Sequence, residues 1–180
     1  MNGGASRALV GRGWAALVAG VLGCRGHAGS PAGPAPSYEY AVAPPAAGSW
    51  VVRVQATLDR APTSLLVAPE DAADAVRDVS VVEGSVARSE RGWIAPACTS
   101  RCTLRYSVDL AALAAGCRRV DCARRIGDAV LGVASSWILH PEPAGDATVR
   151  VELRGGDPSR FATGLRRSSN GGFVLRSREL

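Results

Sequence analysis

The sequence predicts an all-β protein, an antiparallel β-sandwich of about nine short strands with one or two short helices, formed by residues 38–180. Three observations support this prediction. Apolar and polar residues alternate with a period of two along most of the region. Turn residues recur about every ten to fifteen positions, and only two segments resemble helices. Because the alternation leaves one face of each strand wet, the sheets are expected to be antiparallel.

The clearest strands are three segments in which the alternation is unbroken. Their inward-facing residues are expected to be Val52, Val54, Ala56 and Leu58 in residues 50–58, Cys102, Leu104, Tyr106 and Val108 in residues 102–109, and Val149, Val151 and Leu153 in residues 148–153. Further strands are predicted at residues 38–42, 64–67, 79–87, 92–95, 130–139, 160–166 and 172–176. An Asn-Gly pair at residues 170–171 separates the last two strands and predicts a hairpin.

Two short segments are predicted to be helical. Residues 70–77 begin with acidic side chains after Pro69, which suits the first turn of a helix. Residues 109–115 have Asp109 as an N-cap and Gly116 as a stop signal. Both helices are expected to be short, because a strand pattern follows the first and a turn residue, Gly116, follows the second.

The N-terminus has the pattern of an export signal. Arg7 and Arg12 are the only charges before an uncharged run of 11 residues. That run is well short of the roughly 20 residues that a membrane-spanning helix needs. The sequence VLGC at residues 21–24 resembles the lipoprotein box of bacteria, in which the cysteine is lipidated and becomes the new N-terminus. A lipoprotein-type signal peptide at residues 1–23 and lipidation of Cys24 are therefore predicted.

The segment after Cys24 reads as a flexible tether. Residues 24–37 are rich in Gly, Pro, Ala and Ser and poor in large apolar side chains. A tether of this kind would hold the β-sandwich of residues 38–180 away from a membrane surface. An ordinary signal peptide cleaved near residues 28–30 is the alternative.

The other four cysteines are expected to form two disulfides. They are Cys98, Cys102, Cys117 and Cys122, and an even number of cysteines in an exported chain favours disulfides. Three pairings are possible. We favour one bridge within each short pair, because a strand and a helical segment separate the pairs. The rival is a four-cysteine zinc site, although structural zinc sites usually contain C-x2-C knuckles.

The composition argues against several classes of function. All 21 basic residues are arginine, so the lysine chemistry of Schiff bases, pyridoxal phosphate and P-loops is excluded. Without the two arginines of the signal, 19 arginines face 16 acids, a net charge of +3. The arginine pairs are not interleaved with aromatics, so nucleic-acid binding is not expected. Trp50, Trp93 and Trp137 are expected to pack in the core or between the sheets.

No catalytic residue, metal site or cofactor site is recognisable. His140 is the only histidine beyond the tether, and its place at a predicted strand end favours a structural role. No serine lies in a G-x-S-x-G motif, and no H-E-x-x-H motif occurs. Asp71 with Asp74, and Glu142 with Asp146, have the spacing of a helix surface and a loop. We therefore expect no cofactor.

The order of the strands resembles that of a known family. WVVRVQATL at residues 50–58, TLRYSVDL at 103–110, SSWILHPEP at 135–143, TVRVEL at 148–153 and RFATGLRR at 160–167 follow one another. This succession resembles the N-terminal β-sandwich of the glycyl-aminopeptidase family of gluzincin-type zinc metallopeptidases. In that family the zinc ligands and the catalytic glutamate belong to a later domain, so none is carried over to this chain. The resemblance implies a noncatalytic domain that frames a substrate cleft and packs on a catalytic domain.

These expectations combine into an exported, lipid-anchored, noncatalytic β-sandwich at a bacterial cell envelope, facing the periplasm or the cell surface. Two alternatives stay open. The chain is the N-terminal part of an active zinc metallo-aminopeptidase whose catalytic domain lies beyond Leu180, or it is an envelope lipoprotein that binds a peptide or protein along a sheet edge. The expected partners are the membrane, through a lipid on Cys24, and a peptide or a catalytic domain.

Overall fold

Two β-sheets enclose the hydrophobic core of this protein. The computed structural model describes residues 35–118, 122–155, 159, 162–169 and 171–180, all within the compact unit Gly33–Leu180. A sheet of seven strands and a sheet of four strands contribute side chains to the same core, and two further strands form a hairpin of their own. The all-β sandwich that the alternation predicts is confirmed.

The regular elements are short, as the spacing of the turn residues predicts. The strands, in chain order, are β1 (Ser37–Ala43), β2 (Val51–Asp59), β3 (Leu65–Val67), β4 (Val76–Val81), β5 (Ala87–Ser89), β6 (Gly92–Ile94), β7 (Arg101–Asp109), β8 (Ala123–Ile126), β9 (Ala129–Gly132), β10 (His140–Pro141), β11 (Thr148–Leu153), β12 (Arg166–Arg167) and β13 (Phe173–Arg176). The helix α1 is Leu110–Gly116, and short 3-10 segments lie at Glu70–Ala75, Pro96–Thr99, Ala134–Ser136 and Ser177–Glu179.

The large sheet is antiparallel except at one pair of strands. Its order is β12-β13-β11-β1-β2-β7-β4, and β1 runs parallel to β11. The other neighbouring pairs are antiparallel. The parallel pair places β1 in the middle of the sheet, between β11 and β2. The expected antiparallel arrangement is therefore correct for every pair of this sheet but one.

Alternating residues of the central strands build the core. In β2 and β7 every second side chain is buried, with polar side chains between them. The buried side chains include Leu58 of β2, Leu104 of β7 and Val149 of β11, all expected to face inward. Burial of an aliphatic side chain of this size contributes about 1.5–3 kcal/mol relative to exposure. The large sheet thus has a dry inner face and a wet outer face.

The small sheet has the order β10-β3-β6-β5 and brings Leu66 and Trp93 into the core. Gly92 has φ of 149°, and a Cβ there would overlap the carbonyl oxygen of Leu66, so the close approach of β6 to β3 requires glycine. Trp93 is buried as predicted, and Trp137 packs against the core half-buried. Trp50 is also half-buried, beneath the guanidinium of Arg125.

The helix predicted after Asp109 is confirmed, and so is the hairpin of β12 and β13. The helix predicted at residues 70–77 is instead the 3-10 segment Glu70–Ala75. It stops there because Val76 and Arg77 pair with β7 in the large sheet. The strand predicted at residues 160–166 lies partly outside the described residues. Within the described part, the strand β12 begins only at Arg166.

Two other predicted strands are wrong in extent. Residues 79–87 divide between the sheets, because β4 pairs with β7 of the large sheet and β5 pairs with β6 of the small sheet. Residues 130–139 contain the end of β9 and the 3-10 segment Ala134–Ser136 before the chain reaches β10. The buried Ser136 hydroxyl donates to the carbonyl of Val133 at 2.7 Å and closes this turn.

Candidate binding site

His140, the histidine of the sandwich, lies in β10 and is half-buried. Its Nδ1 is 3.1 Å from the carbonyl oxygen of Ile138, which can only accept, so Nδ1 carries the proton. Burial lowers the pKa of His140 from its ordinary value of 6.5, because it disfavours the charged ring. The bond to Ile138 and the charge of Glu142 oppose this effect without cancelling it.

A cleft of about 480 Å³ beside His140 holds several charged side chains. Arg91 and Glu142 form an ion pair at 3.1 Å in its lining, and Asp71, which also lines it, accepts a hydrogen bond from the backbone N–H of Arg118 at 3.3 Å. Within the described residues, no three His, Cys, Asp or Glu side chains are grouped closely enough to hold a metal ion. The cleft therefore has polar walls, but it does not assemble a zinc-ligand set.

The four cysteines of the sandwich lie in two local pairs at disulfide distance. Cys98 joins Cys102 across the turn before β7, with sulfur atoms 2.02 Å apart. Cys117 joins Cys122 between α1 and β8, with sulfur atoms 1.93 Å apart. The sulfurs are thus paired with each other and not gathered into one zinc site. Cys24, the predicted lipidation site, lies outside the described residues.

The two cysteine pairs indicate the kind of cellular compartment in which the protein resides. Disulfides persist in oxidising compartments and are rare in the cytosol, so the two pairs indicate an oxidising, non-cytoplasmic location. Among the described residues, no helix has the length and apolar character needed to cross a membrane.

A groove of about 410 Å³ lies on the outer face of the large sheet. Ala41 and Ala43 of β1 form its floor, where their small side chains leave room between longer neighbours. Arg53 of β2 lies directly opposite Ala43, and Arg105 of β7 lies opposite Gln55 of β2. The two arginines are thus diagonal neighbours on one face, close enough for their long side chains to reach a common ligand.

The groove is lined by more positive than negative charge. Its charged lining residues are Arg53, Arg105, Arg154 and Asp78. Arg154 donates to Glu152 at 3.1 Å, and Nε of Arg105 donates to Oε1 of Gln55 at 3.4 Å. Among the residues that the structure describes, the guanidinium of Arg53 has neither an ion pair nor a hydrogen bond. One arginine of the groove is therefore free to bind a ligand.

Asp78 lies at one end of the groove, on a β-bulge of the edge strand β4. The register between β4 and β7 shifts between Arg77 and Ser80, and Asp78 has φ of 55°. Aspartate adopts this left-handed conformation more readily than most residues. The Ser107 hydroxyl donates to its carboxylate at 3.0 Å, which fixes the position of this negative charge.

The hairpin of β8 and β9 exposes an apolar surface that the sequence did not predict. Ile126 is 61% exposed and Leu131 is 68% exposed, and both side chains lie on the same face of the hairpin. Val133, which follows β9, is 44% exposed. Large exposed aliphatic side chains in a row are typical of surfaces that pack against another protein.

Comparison with known proteins supports the fold. No protein family model matches the chain, and no curated protein sequence matches it. Among solved structures, the chain is similar to the crystal structure of an aminopeptidase N family protein from Idiomarina loihiensis, with a TM-score of 0.54 and 16% identity. The likeness covers 77% of this chain and 26% of that one, so this chain spans about a quarter of its neighbour. It agrees with the predicted aminopeptidase resemblance at the level of the fold alone.

Part of the groove could be read from the sequence. The alternation of β2 and β7 assigns Arg53 and Arg105 to the wet face. Arg154 follows β11, which joins the sheet beside β1, and no local pattern predicts that pairing. Asp78 lies between the helix predicted at residues 70–77 and the strand predicted at residues 79–87, so its bulge was missed.

Proposed function

We propose that this chain is a noncatalytic β-sandwich domain that frames a substrate cleft together with a catalytic domain of a metallo-aminopeptidase. The likeness to about a quarter of an aminopeptidase N family protein carries this proposal. The strand order found in the sequence supports it independently.

The exposed face of the β8–β9 hairpin suits this function. Ile126 and Leu131 present aliphatic side chains with Arg124 beside them in register. An interface between domains of one protein buries a mixed apolar and polar surface of this kind. We therefore assign the hairpin as the surface that packs against the catalytic domain.

The test is an aminopeptidase assay on the purified chain. Glycine and alanine p-nitroanilides are incubated with the chain, with and without added Zn²⁺, and with zinc in buffer alone as the control. We expect no hydrolysis above the control. Hydrolysis that needs zinc and scales with chain concentration would refute the proposal.

The enzyme alternative requires a catalytic domain after Leu180. It predicts an H-E-x-x-H motif further along the same reading frame, because that motif supplies two zinc ligands and a general base. A stop codon directly after Leu180 would eliminate this alternative.

We also propose that the domain is exported and anchored to a membrane by a lipid on Cys24. The two cysteine pairs support export. Mass spectrometry of the mature N-terminus should find an acylated Cys24, and a Cys24→Ser variant should move from the membrane fraction to the soluble fraction. An unmodified N-terminus near Ser30 would show that an ordinary signal peptide is cleaved instead.

The second candidate function, capture of a peptide, is supported by the groove and not by the sheet edge. The edge strand β4 carries the bulge at Asp78, and a bulge interrupts the regular row of backbone groups that an added strand would pair with. A peptide array is the direct test, and an array with no bound sequence would count against this function.

A further inference from the structure

We propose that the groove on the outer face of the large sheet binds a peptide through one carboxylate, held by Arg53 and Arg105. This inference deepens the second candidate function, because it names the chemistry that the groove would capture, and it does not rest on the proposed packing against a catalytic domain. The partner is defined by its chemistry: one carboxylate, either an acidic side chain or a chain end, next to a small side chain.

The arginines supply the charge and the geometry. Arg53 has no protein partner among the described residues, and Arg105 uses only Nε, toward Gln55. Their terminal nitrogens are therefore available as donors. A guanidinium offers two parallel N–H groups that match the two oxygens of a carboxylate. The two arginines lie one row apart on adjacent strands, so both can contact one ligand.

The two alanines on the floor of the groove leave space for a ligand. Ala41 and Ala43 occupy positions where a longer side chain would fill the space between β2 and Arg154. The resulting 410 Å³ lies within the range of about 300–1,000 Å³ that is usual for small-ligand sites. An apolar floor beside charged walls suits an amino-acid residue better than it suits a bare inorganic anion.

The acidic residues at the margins limit the charge of the ligand. Asp78 is held by Ser107, and Glu152 pairs with Arg154. A polyphosphate or an anionic membrane surface would meet these carboxylates at close range, and like charges repel. A single carboxylate brings only one negative charge into the groove, so it meets less of this repulsion. Asp78 can also accept a backbone N–H from a bound peptide.

The experiment measures binding of short peptides to the purified chain by isothermal titration calorimetry. Three N-acetylated peptides are compared: Ac-Gly-Ala-Glu-Ala-NH2, its fully capped Gln analogue Ac-Gly-Ala-Gln-Ala-NH2, and Ac-Gly-Ala-Gln-Ala with a free C-terminal carboxylate. At least one of the two peptides with a carboxylate should bind, and the fully capped Gln peptide should not. Comparing the two carboxylate peptides shows whether the groove prefers an acidic side chain or a chain end. No binding by either carboxylate peptide, or equal binding of the capped Gln peptide, would overturn the proposal.

Variants locate the site. Arg53→Gln and Arg105→Gln should each raise the Kd about tenfold or more, because a hydrogen bond to a charged group is lost. Ala43→Leu should abolish binding with every charge intact. Arg101→Gln is the matched control, since Arg101 is an exposed arginine of β7 at the far end of the same face. It should leave the Kd within about twofold.

Three further results would overturn the proposal. Equal losses of affinity in Arg53→Gln and Arg101→Gln would show that binding depends on the overall positive charge and not on this site. Unchanged binding by Ala43→Leu would place the ligand elsewhere. Inorganic phosphate or anionic phosphatidylglycerol vesicles that bind as tightly as the peptide would show a nonspecific anion surface. Thermal melting of each variant checks that the fold is intact.

Discussion

At the scale of single residues, two tyrosine hydroxyls connect the large sheet to the segment before β10. Tyr40 donates to the carbonyl oxygen of Leu139 at 2.8 Å, and the Leu139 N–H donates to the Tyr106 oxygen at 3.1 Å. All three residues are buried. Burial raises the pKa of both tyrosines, so both hydroxyls stay protonated at ordinary pH. The backbone of Leu139 is thus satisfied without a strand partner.

Replacing Tyr106 with phenylalanine should destabilise the protein by about 1–3 kcal/mol, because it leaves the buried N–H of Leu139 without an acceptor. Urea unfolding of Tyr106→Phe measures this change. Tyr38→Phe is the matched control: the buried Tyr38 hydroxyl donates to the carbonyl oxygen of Ala144 at 3.2 Å, and Ala144 is only half-buried, so water can replace the lost donor. A smaller effect in Tyr106→Phe than in Tyr38→Phe would contradict this account.

His140 should make stability depend on pH. Its pKa is lowered in the folded state, so the unfolded chain binds the proton more tightly. Its neutral form therefore supports folding fully above pH 6.5, and this support is lost as the pH falls through the lower folded pKa. His140→Gln should flatten the decline of unfolding free energy between about pH 7 and 5. An unchanged slope in the variant would assign the decline to carboxylates.

At the scale of elements, α1 depends on one capping side chain. Asp109 Oδ1 accepts from the backbone N–H groups of Ala111 and Ala112 at 3.1 and 3.0 Å. The helix is only 7 residues long, so the cap satisfies a large share of its free N–H groups. Leu113 then anchors the helix in the core.

Asp109→Ala should cost about 1–2 kcal/mol, because the two N–H groups lose their acceptor. Asp109→Asn keeps an acceptor oxygen and removes only the exposed ion pair with Arg77 at 3.4 Å, which contributes about 0–1 kcal/mol. Chemical unfolding of both variants should therefore give a clear difference. Equal losses would mean that the charge of Asp109, and not its cap, stabilises this region.

Elements with a strong local signal could be predicted from the sequence. The alternation in β2, β7 and β11 gave both the strands and their buried faces, because a period of two fixes which side chains share a face. Asp109 predicted the start of α1 for an equally local reason, because an N-cap accepts from N–H groups two and three residues further on. Residues 130–139 had no such pattern, only a high apolar content, which suits a strand and a buried turn equally well. The hydrogen bonds of Leu139 with Tyr40 and Tyr106, which hold the end of this segment, span 99 and 33 residues of sequence. No local pattern can reveal contacts of that separation.

At the scale of the whole molecule, the two cysteine pairs differ in burial. Cys98 and Cys102 are 0% and 1% exposed, whereas Cys122 is 7% exposed and its partner Cys117 is half-buried. Each pair closes a loop of only a few residues, which should stabilise the fold by about 2 kcal/mol through the unfolded chain.

A mild reductant should therefore open the Cys117–Cys122 pair first, because Cys117 is more exposed than either cysteine of the other pair. Alkylation with iodoacetamide after short exposure to dithiothreitol, read by peptide mass spectrometry, should label these two cysteines before Cys98 and Cys102. The same experiment in denaturant is the control, where the difference should disappear. Earlier labelling of Cys98 in the folded protein would contradict the prediction.

The groove is also a property of the whole molecule. Its four charged residues come from β2, β4, β7 and the end of β11, and they meet only because of the strand order. The sequence shows which residues face water on each strand, but long-range pairing decides which strands are neighbours. The parallel pairing of β1 with β11, across more than 100 residues, is the step that no local pattern reveals.

That same pairing has a mechanical consequence. β1 is hydrogen-bonded along both edges, to β11 over six residue pairs and to β2 over seven. A force applied along the chain from the N-terminal side of Ser37 would pull β1 along its own axis. Both ladders would then be loaded in shear, so their bonds would share the load and would not open one after another as in peeling. If the domain is tethered by its N-terminus, as proposed, the strand nearest the tether is also the one held to resist tension.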